Sequence, residues 1–388
     1  MLFQKSDIPG EDIRRFMDMV PKRREMIDEA PATPLPTTYA VNELSKALHP
    51  GTIPAEIIEI KDSARNCKTF VLKSNSSNGR FPYFRAGQFI TLTAKIGDSL
   101  VTRPYSLSSS PKQALAGVYE VTVQRAGFFS TWLLDEATVG TKVIVGEPSG
   151  DFCYDNLRDR ETIVAIAGGS GVTPFISMVK ALQEGSDDFN LVLIYGARTR
   201  EDLMITPDVV TDARIKMVVV LSDEEVEGYE HGFITEELLR RYVPENASYF
   251  MCGPNAMYQF VSGEIVKLGV ADTSIRREHN SVGNRNYEEP KTFQLTVRMR
   301  DKVHVIPAKQ EETLLAAMER AGLAAPSRCR SGSCGFCHSR LIFGECTIPE
   351  EHDSRRKADL KFGYLHPCCT YPDSDMEIEV PLYSVLEA

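Results

Sequence analysis

This sequence lacks the features that carry a chain across a membrane and those that attract nucleic acid. Its first residues show no basic segment followed by an apolar one, and no run of about 18 apolar residues occurs, so we expect no secretion signal and no integral membrane segment. Acidic residues outnumber basic ones by 54 to 44, and the formal net charge of -10 argues against a nucleic-acid partner. We therefore expect a cytoplasmic protein.

The nine cysteines are poor evidence for a disulfide framework, because reducing compartments keep thiols free. Metal or redox chemistry is the better explanation for most of them. Cys67, Cys153 and Cys346 stand alone in the sequence and are interpreted as ordinary core or surface residues. With 42% hydrophobic and 9% aromatic residues, the 388-residue chain can build several cores and is not a disordered protein.

The chain divides into segments of different pattern. Residues 1–50 are polar and rich in Met, which predicts a helical extension, and a solvated helix packed on the next domain is favoured over a binding surface. Residues 51–157 carry short runs of β-forming residues between turn residues, which is typical of a small barrel. Strands alternate with helices over 158–283, which predicts a parallel sheet. The polar segment 284–291 suits a linker before a final domain at 292–388.

Three cysteines lie within nine residues of the final domain: Cys329, Cys334 and Cys337. Their C-x4-C-x2-C spacing is that of plant-type 2Fe-2S sites, in which a distant cysteine supplies the fourth thiolate. Two adjacent candidates follow, Cys368 and Cys369, and spacing alone does not choose between them. Glycine and serine in the loop allow backbone N–H groups to turn toward the cluster sulfurs.

A zinc site is the alternative, since Cys337 is followed by His338 as in a finger. Zinc fingers usually pair two short knuckles, whereas here the first gap is four residues and the loop is rich in glycine. The cluster is therefore favoured over zinc.

The segment resembles plant-type ferredoxins, in which the last ligand precedes a tail x-x-Y-P-x-S-D. Here that tail reads CTYPDSD, so the resemblance implies that Cys368 ligates the cluster and Cys369 does not. It also implies a β-grasp fold for the C-terminal ferredoxin domain, which suits the strand-like runs TFQLTVRMR and KVHVIPA.

A second motif, Arg103-Pro104-Tyr105-Ser106, lies in the β-rich segment. Arginine can pair with a phosphate, tyrosine can stack on a planar ring and a hydroxyl can bond a ring nitrogen. Taken alone, the motif could equally be a strand end with a turn.

In its context the motif resembles the R-x-Y-S flavin motif of the ferredoxin-NADP reductase superfamily. The resemblance implies that Arg103 contacts flavin phosphate, Tyr105 packs against the isoalloxazine and Ser106 reaches N5. Gly127 and Ser130 match the G-x-x-S element that wraps the pyrophosphate of FAD at a helix start, which favours FAD over FMN. The implied domain is a six-stranded antiparallel flavin β-barrel.

The segment AGGSGVTP follows a strand and opens a helix, as a phosphate-binding loop does. It is not a G-x-G-x-x-G fingerprint, which disfavours an orthodox dehydrogenase, but it resembles the G-G-x-G-x-T/S-P loop of the same superfamily. The implied nucleotide contacts in this loop are Gly168, Gly169, Gly171, Thr173 and Pro174.

Two further motifs fall where the superfamily places its nucleotide and nicotinamide contacts. They are YGAR, with Gly196 and Arg198, and CGP, with Cys252, Gly253 and Pro254. Cys252 could be a small buried residue, but a position at a strand end facing a cleft favours function.

The acidic segment 222–225 predicts NADH rather than NADPH. No Arg or Lys follows it before His231, so a 2'-phosphate placed there would be repelled. Arg198 and Arg200 could still supply a phosphate site elsewhere.

The superfamily often ends its nucleotide domain with E-x-aromatic, and here Glu278 matches the acid, which lies near the hydride-transfer site. The aromatic position is Asn280, and His279 is either its replacement or an exposed linker residue. We expect nicotinamide to stack on the flavin more readily without an aromatic gate.

The resemblance covers residues 51 to 388, and the domain order is that of oxygenase reductases and of the NADH oxidoreductase partner of hybrid-cluster protein. It implies an enzyme that passes electrons from NADH to FAD, to the cluster and then to an oxygenase, haem protein or other metalloenzyme. Ser106, Cys252 and Glu278 would line the hydride-transfer site. A non-catalytic electron-relay subunit and a redox-sensing interaction protein are the alternatives, and the intact glycine loop and CGP turn disfavour both.

Overall fold

The computed structural model describes residues 10–30, 39–42, 44, 51–278, 282 and 285–381. The chain forms two units, residues 1–47 and 48–388. The first contains helix α1 (Gly10–Asp28), whose residues are all exposed, and this helix confirms the predicted helical extension. Within the described residues, no helix has the length and apolar character needed to cross a membrane.

The second unit begins with a six-stranded antiparallel sheet. Its strands are β1 (Thr52–Ala64), β2 (Cys67–Ser74), β3 (Phe89–Ile96), β4 (Ser99–Ser106), β5 (Val118–Gln124) and β6 (Lys142–Gly146). They follow the order β4-β3-β6-β1-β2-β5, and a bridge between Leu107 and Val121 joins the two ends into the predicted barrel. Alternate residues such as Ile53 and Ile57 fill the interior, as the period of a strand requires. Helices α2 (Pro111–Leu115) and α3 (Phe128–Asp135) lie between strands.

A parallel sheet follows, with strand order β10-β9-β8-β7-β11-β12. Its strands are β7 (Thr162–Gly168), β8 (Asn190–Ala197), β9 (Ile215–Leu221), β10 (Glu230–His231), β11 (Ser248–Cys252) and β12 (Ile275–Glu278). Its helices are α4 (Thr173–Gln183), α5 (Glu236–Tyr242) and α6 (Asn255–Lys267). Strand β7 is buried on both faces, which explains its continuous apolar run. The chain reverses its direction of winding at β7, and ligands bind at such a switch point, beside the strands' carboxyl ends.

The last domain has a five-stranded mixed sheet of order β14-β13-β19-β15-β17 and a two-stranded one, β16-β18. The strands are β13 (Thr292–Met299), β14 (Lys302–Lys309), β15 (Ser339–Phe343), β16 (Cys346–Thr347), β17 (Tyr364–Leu365), β18 (Tyr371–Pro372) and β19 (Met376–Val380). The helices are α7 (Leu314–Arg320) and α8 (Lys357–Phe362). The cysteine-rich loop connects α7 to β15. This arrangement agrees with the expected C-terminal ferredoxin fold.

Side chains on α4 fix the barrel against the parallel sheet. Lys180 forms an ion pair of 2.6 Å with the buried Glu120 of β5, and Ser177 Oγ donates to the Ser109 carbonyl oxygen at 2.7 Å. The buried Glu120 also pairs with Lys61 at 3.3 Å, so its charge is compensated twice. These bonds therefore join α4 of the parallel-sheet domain to the barrel.

Candidate functional site

Three strand ends bring together the residues predicted to line the hydride-transfer site. Ser106 is the last residue of β4, Cys252 the last of β11 and Glu278 the last of β12. Ser106 Oγ donates to Glu278 Oε2 at 3.4 Å, and Cys252 Sγ donates to the same oxygen at 3.8 Å. Cys252 and Glu278 are direct partners in the parallel pairing of β11 with β12. Residues far apart in sequence thus share one carboxylate.

The pKa of the Glu278 carboxyl group lies above the usual range of a glutamate. Burial raises the pKa of Glu278 to about 8, with a smaller contribution from Asp151, and it outweighs the opposing hydrogen bonds from Ser106 and Cys252. Cys252 is fully buried, with its thiol toward Glu278. Ser106 and Glu278 are half-buried, so this group of side chains keeps some contact with solvent.

Tyr258 fixes the two strand ends and was missed by the sequence analysis. Its hydroxyl donates to the Glu278 carbonyl oxygen at 2.5 Å and accepts from the Gly253 N–H at 3.2 Å. The hydroxyl is buried, and such a group needs partners of this kind. A polar aromatic residue one turn into the helix after CGP was the available signal.

The flavin motif lies on the last residues of β4, where Pro104 separates Arg103 from Tyr105. The Tyr105 ring packs against Phe129 of α3, with ring centres 6.2 Å apart. Arg103 Nη1 donates to the Thr102 carbonyl oxygen at 2.8 Å and to both carboxylate oxygens of Glu319, at 2.9 and 3.1 Å. Glu319 belongs to the last domain, and nothing in its sequence context indicated this contact.

Ser130 shapes the turn that precedes α3. Its Oγ accepts from the N–H groups of Ala126 and Gly127, both at 2.9 Å, and donates to the Gly127 carbonyl oxygen at 2.9 Å. Space is open beside Gly127, with no atom within 4 Å of where a Cβ would lie. The contact of Gly127 and Ser130 with FAD pyrophosphate stays a prediction.

The glycine loop packs directly against the CGP turn. A Cβ added to Gly171 would lie 2.0 Å from the Cys252 carbonyl oxygen, and one added to Gly168 would lie 2.6 Å from Met257 Sδ. Only glycine permits the backbone contact at Gly171, which brings the glycine loop against the end of β11. The remaining loop residues predicted to contact nucleotide are adjacent, with Gly169 in a 3₁₀ turn and Thr173 and Pro174 opening α4.

Acidic side chains just after β9 accept hydrogen bonds from the segment that follows β8. Arg198 Nε pairs with Asp223 Oδ2 at 2.8 Å, and the backbone N–H of Arg200 donates to Glu224 Oε2 at 2.8 Å. Hydrogen bonds from Ser222 and then Arg198 lower the pKa of Asp223. Gly196 of β8 pairs with Gly168 of β7, and β9 lies on the far side of β8, so the acids are two strands along the sheet from the glycine loop. An incoming 2'-phosphate would compete with carboxylates for Arg198.

The four predicted cluster ligands come together in the last domain. Hydrogen bonds from the thiols of Cys334 and Cys368 lower the pKa of Cys329, and Cys368 also interacts with Cys337. Four thiols within hydrogen-bonding reach of one another suit the four-cysteine donor set of a 2Fe-2S cluster.

Backbone N–H groups of the loop point at these sulfurs. The N–H groups of Ser331 and Cys334 donate to Cys329 Sγ at 3.5 and 3.4 Å, and that of Phe336 donates to Cys334 Sγ at 3.4 Å. Hydrogen bonds of this kind stabilise thiolate charge and set a cluster's potential. The loop therefore fits an anionic cluster.

Cys369 differs from Cys368 in what its thiol contacts. Its thiol donates to the His366 carbonyl oxygen at 3.4 Å. A Cβ added to Gly332, whose φ is +83°, would lie 2.9 Å from Cys369 Sγ. The hydrogen bond with Cys368, and then burial, raise the pKa of Cys369. This geometry agrees with Cys368 as the fourth ligand, which stays a prediction.

His366 forms a hydrogen bond with the cysteine loop and was missed by the sequence analysis. Its Nδ1 bonds the Gly332 carbonyl oxygen at 2.8 Å, and Nδ1 of the buried His352 bonds the Ser331 carbonyl oxygen at 3.2 Å. The predicted gate positions, His279 and Asn280, lie outside the described residues.

Three family models match the chain in succession. They are the oxidoreductase FAD-binding domain at residues 54–154, the oxidoreductase NAD-binding domain at 165–263 and the 2Fe-2S iron-sulfur cluster binding domain at 297–373. These matches confirm FAD and the 2Fe-2S cluster as cofactors, together with a nicotinamide nucleotide.

Several proteins of known function are similar over most of their length. The ferredoxin reductase component of 3-ketosteroid-9-alpha-monooxygenase from Mycobacterium tuberculosis is 30% identical over 352 residues, 83% of this chain and 92% of its own. The glycine betaine monooxygenase reductase subunit of Chromohalobacter salexigens is 28% identical over 76% of this chain and 87% of its own. The Escherichia coli NADH oxidoreductase HCR is 28% identical over 76% and 88%.

Phthalate dioxygenase reductase has a similar solved structure, with a TM-score of 0.65, and the match covers 86% of this chain and 98% of that one. At 23% sequence identity, this similarity shows the fold.

Proposed function

Because this chain belongs to the reductases that join FAD-binding, NAD-binding and 2Fe-2S cluster binding domains in one polypeptide, we propose that it is the reductase component of an oxygenase system. As a member of this family, it is an oxidoreductase that passes electrons from NADH through FAD and the cluster to an external redox protein. The proposal adds the class of acceptor. It is carried by one observation, the similarity to oxygenase reductases across all three domains.

Ser106, Cys252 and Glu278 form the proposed hydride-transfer site. When bound, FAD accepts a hydride from NADH and releases single electrons that a 2Fe-2S cluster can accept. The three side chains would orient the two rings, since Ser106 and Cys252 converge on one oxygen of Glu278 at the junction of two domains. The raised pKa of Glu278 favours its neutral carboxyl group, which would reduce the negative charge beside the hydride-transfer site.

The remaining predicted residues have roles in binding. Arg103 is proposed to bind flavin phosphate and Tyr105 to cover the ring, while the turn fixed by Ser130 would face the pyrophosphate. The glycine loop, the YGAR segment and the CGP turn would hold NADH. Cys329, Cys334, Cys337 and Cys368 would hold the cluster. The domain boundaries at residues 50, 157, 283 and 291 and the cytoplasmic location stay predictions from the sequence.

The function is tested by anaerobic titration with NADH, followed by addition of an acceptor. We expect NADH to bleach the flavin and cluster absorption and the reduced protein to reduce an oxygenase. The oxygenase components of the glycine betaine and 3-ketosteroid systems are suitable acceptors, with cytochrome c as an unspecific control. Saturable transfer to an oxygenase, faster than to cytochrome c, supports the proposal. Transfer to neither oxygenase above the cytochrome c rate contradicts it, and failure to oxidise NADH favours a relay subunit.

Replacing Asp223 with asparagine should relax the preference for NADH. The carboxylate pairs with Arg198 and would repel a 2'-phosphate, so its loss frees a guanidinium to bind one. We expect kcat/KM for NADPH to rise about tenfold, the effect of one charge-assisted hydrogen bond. The matched control is Asp208→Asn, at an exposed position outside this acidic segment. Steady-state kinetics with both nucleotides measure the change, and an unaltered ratio would show that Asp223 does not select the nucleotide.

A further inference from the structure

A chain of buried charges connects the flavin barrel to the cluster domain. Glu319, on α7 of the cluster domain, binds Arg103 of β4 at 2.9 Å and Arg330 of the cysteine loop at 2.7 Å. The side chains of Glu319 and Arg330 are only 9% and 11% exposed. Arg330 Nη1 also reaches the Thr102 carbonyl oxygen, beside Arg103, at 3.5 Å. One carboxylate therefore holds an arginine from each domain.

A second ion pair joins the same two domains. Arg328 Nη2 pairs with Oε1 of Glu147, just after β6 of the barrel, at 2.8 Å. Its guanidinium also lies 4.7 Å from the centre of the Phe336 ring, within the cysteine loop. Arg328 and Arg330 flank Cys329 in the sequence, so ion pairs hold the chain on both sides of this predicted ligand.

The backbone conformation at Arg330 indicates that arginine is present here because of the contacts its side chain makes. Its φ is +56°, a left-handed conformation that glycine adopts more easily than any residue with a Cβ. Strain of this kind persists where the surrounding structure over-determines it. Here the guanidinium forms the bond to Glu319 that glycine could not.

The net charge of Arg103, Glu319 and Arg330 suits a bound phosphate. Glu319 is one anion between two cations, so the trio carries a net positive charge in a buried setting. Arg103 is the residue proposed to bind flavin phosphate, and its bonds to Glu319 use the Nη1 atom. The same guanidinium can thus face the flavin pocket while its other side is tied to the cluster domain.

We propose that Arg103, Glu319 and Arg330, together with the Glu147–Arg328 pair, form an interdomain clasp that fixes Cys329 beside the flavin pocket. The inference rests on the proposed roles of Arg103 and Cys329. The rate at which an electron leaves the reduced flavin and enters the oxidised cluster falls steeply with their separation, so the clasp sets that rate. Glu147, Glu319, Arg328 and Arg330 are positioning residues in this step.

Charge reversal of the outer pair tests the clasp. The variants are Glu147→Arg, Arg328→Glu and the double variant, each checked for FAD and iron content. In rapid-mixing experiments with NADH we expect flavin reduction to keep its rate in all three. Cluster reduction should slow about tenfold in each single variant and recover in the double variant, where the pair is restored with opposite polarity.

A second readout does not depend on electron transfer. Hydrogen exchange of the loop around Cys329 should be faster in each single variant and return toward the original rate in the double variant. Single variants that leave cluster reduction and loop exchange unchanged, or a double variant without recovery in either, would overturn the clasp.

Arg330→Gly removes the bond to Glu319 without straining the backbone. Glycine suits the left-handed conformation, so we expect the iron content to be retained, while loss of the buried ion pair lowers the thermal stability and cluster reduction slows about tenfold. An unchanged cluster reduction rate would remove Arg330 from the clasp. If NADH reduces the flavin normally in these variants, the proposed function stands whatever the outcome for the clasp.

Discussion

Replacing Cys368 with alanine is expected to abolish the 2Fe-2S cluster, whereas replacing the adjacent Cys369 should leave it in place. Cys368 interacts with the thiols of Cys329 and Cys337, while the Cys369 thiol donates to a backbone carbonyl behind the loop. Three thiolates do not complete the coordination of a 2Fe-2S cluster. Electron transfer to one-electron protein acceptors should fall by more than about 100-fold in Cys368→Ala. Changing a residue that only hydrogen-bonds a metal ligand typically costs about 10- to 100-fold, and the loss of a ligand itself should cost more.

Iron and sulfide content and the visible absorption spectrum measure the cluster in both variants. Flavin reduction by NADH provides the internal control and should be retained in both, since the hydride-transfer site lies in the other two domains. The two variants differ by one position in the same buried segment, so general misfolding would affect them alike. A cluster lost in Cys369→Ala and kept in Cys368→Ala would reverse the ligand assignment.

Replacing Ser106 with alanine should slow flavin reduction by NADH by about 100-fold, because misplacing a reacting group by a small distance has an effect of this order. The variant removes the hydroxyl that donates to Glu278 at 3.4 Å, at the point where barrel and parallel sheet meet. We expect the cluster content to stay unchanged, since Ser106 has no part in the cysteine loop.

The matched control is Ser108→Ala, on the same stretch of chain. Ser108 is buried, and its hydroxyl bonds Thr122 within the barrel at 3.0 Å. Stopped-flow absorption under anaerobic conditions measures flavin reduction in both variants at saturating NADH. Equal rates for the two variants would show that the Ser106 hydroxyl has no special role in hydride transfer.

The sequence by itself determined the features that depend on short spacing. Cys329, Cys334 and Cys337 lie in one loop, and the distances that a cluster needs follow from the number of residues between them. The glycine loop was recognisable for a similar reason, because a strand, a close turn and a helix start are local events. The small barrel and the parallel sheet followed from the periodicity of strands and helices, which also reports local burial, whereas the ferredoxin fold was implied by resemblance.

The tertiary structure decided the contacts and charges that join distant segments. Glu319 meets Arg103 across 216 positions of sequence, and no pattern near either residue encodes that pairing. The raised pKa of Glu278 likewise depends on burial beside Ser106 and Cys252, which only the packed domains provide. Spacing along the chain fixes which groups can share a loop, whereas desolvation and long-range ion pairs depend on how separate domains pack against each other.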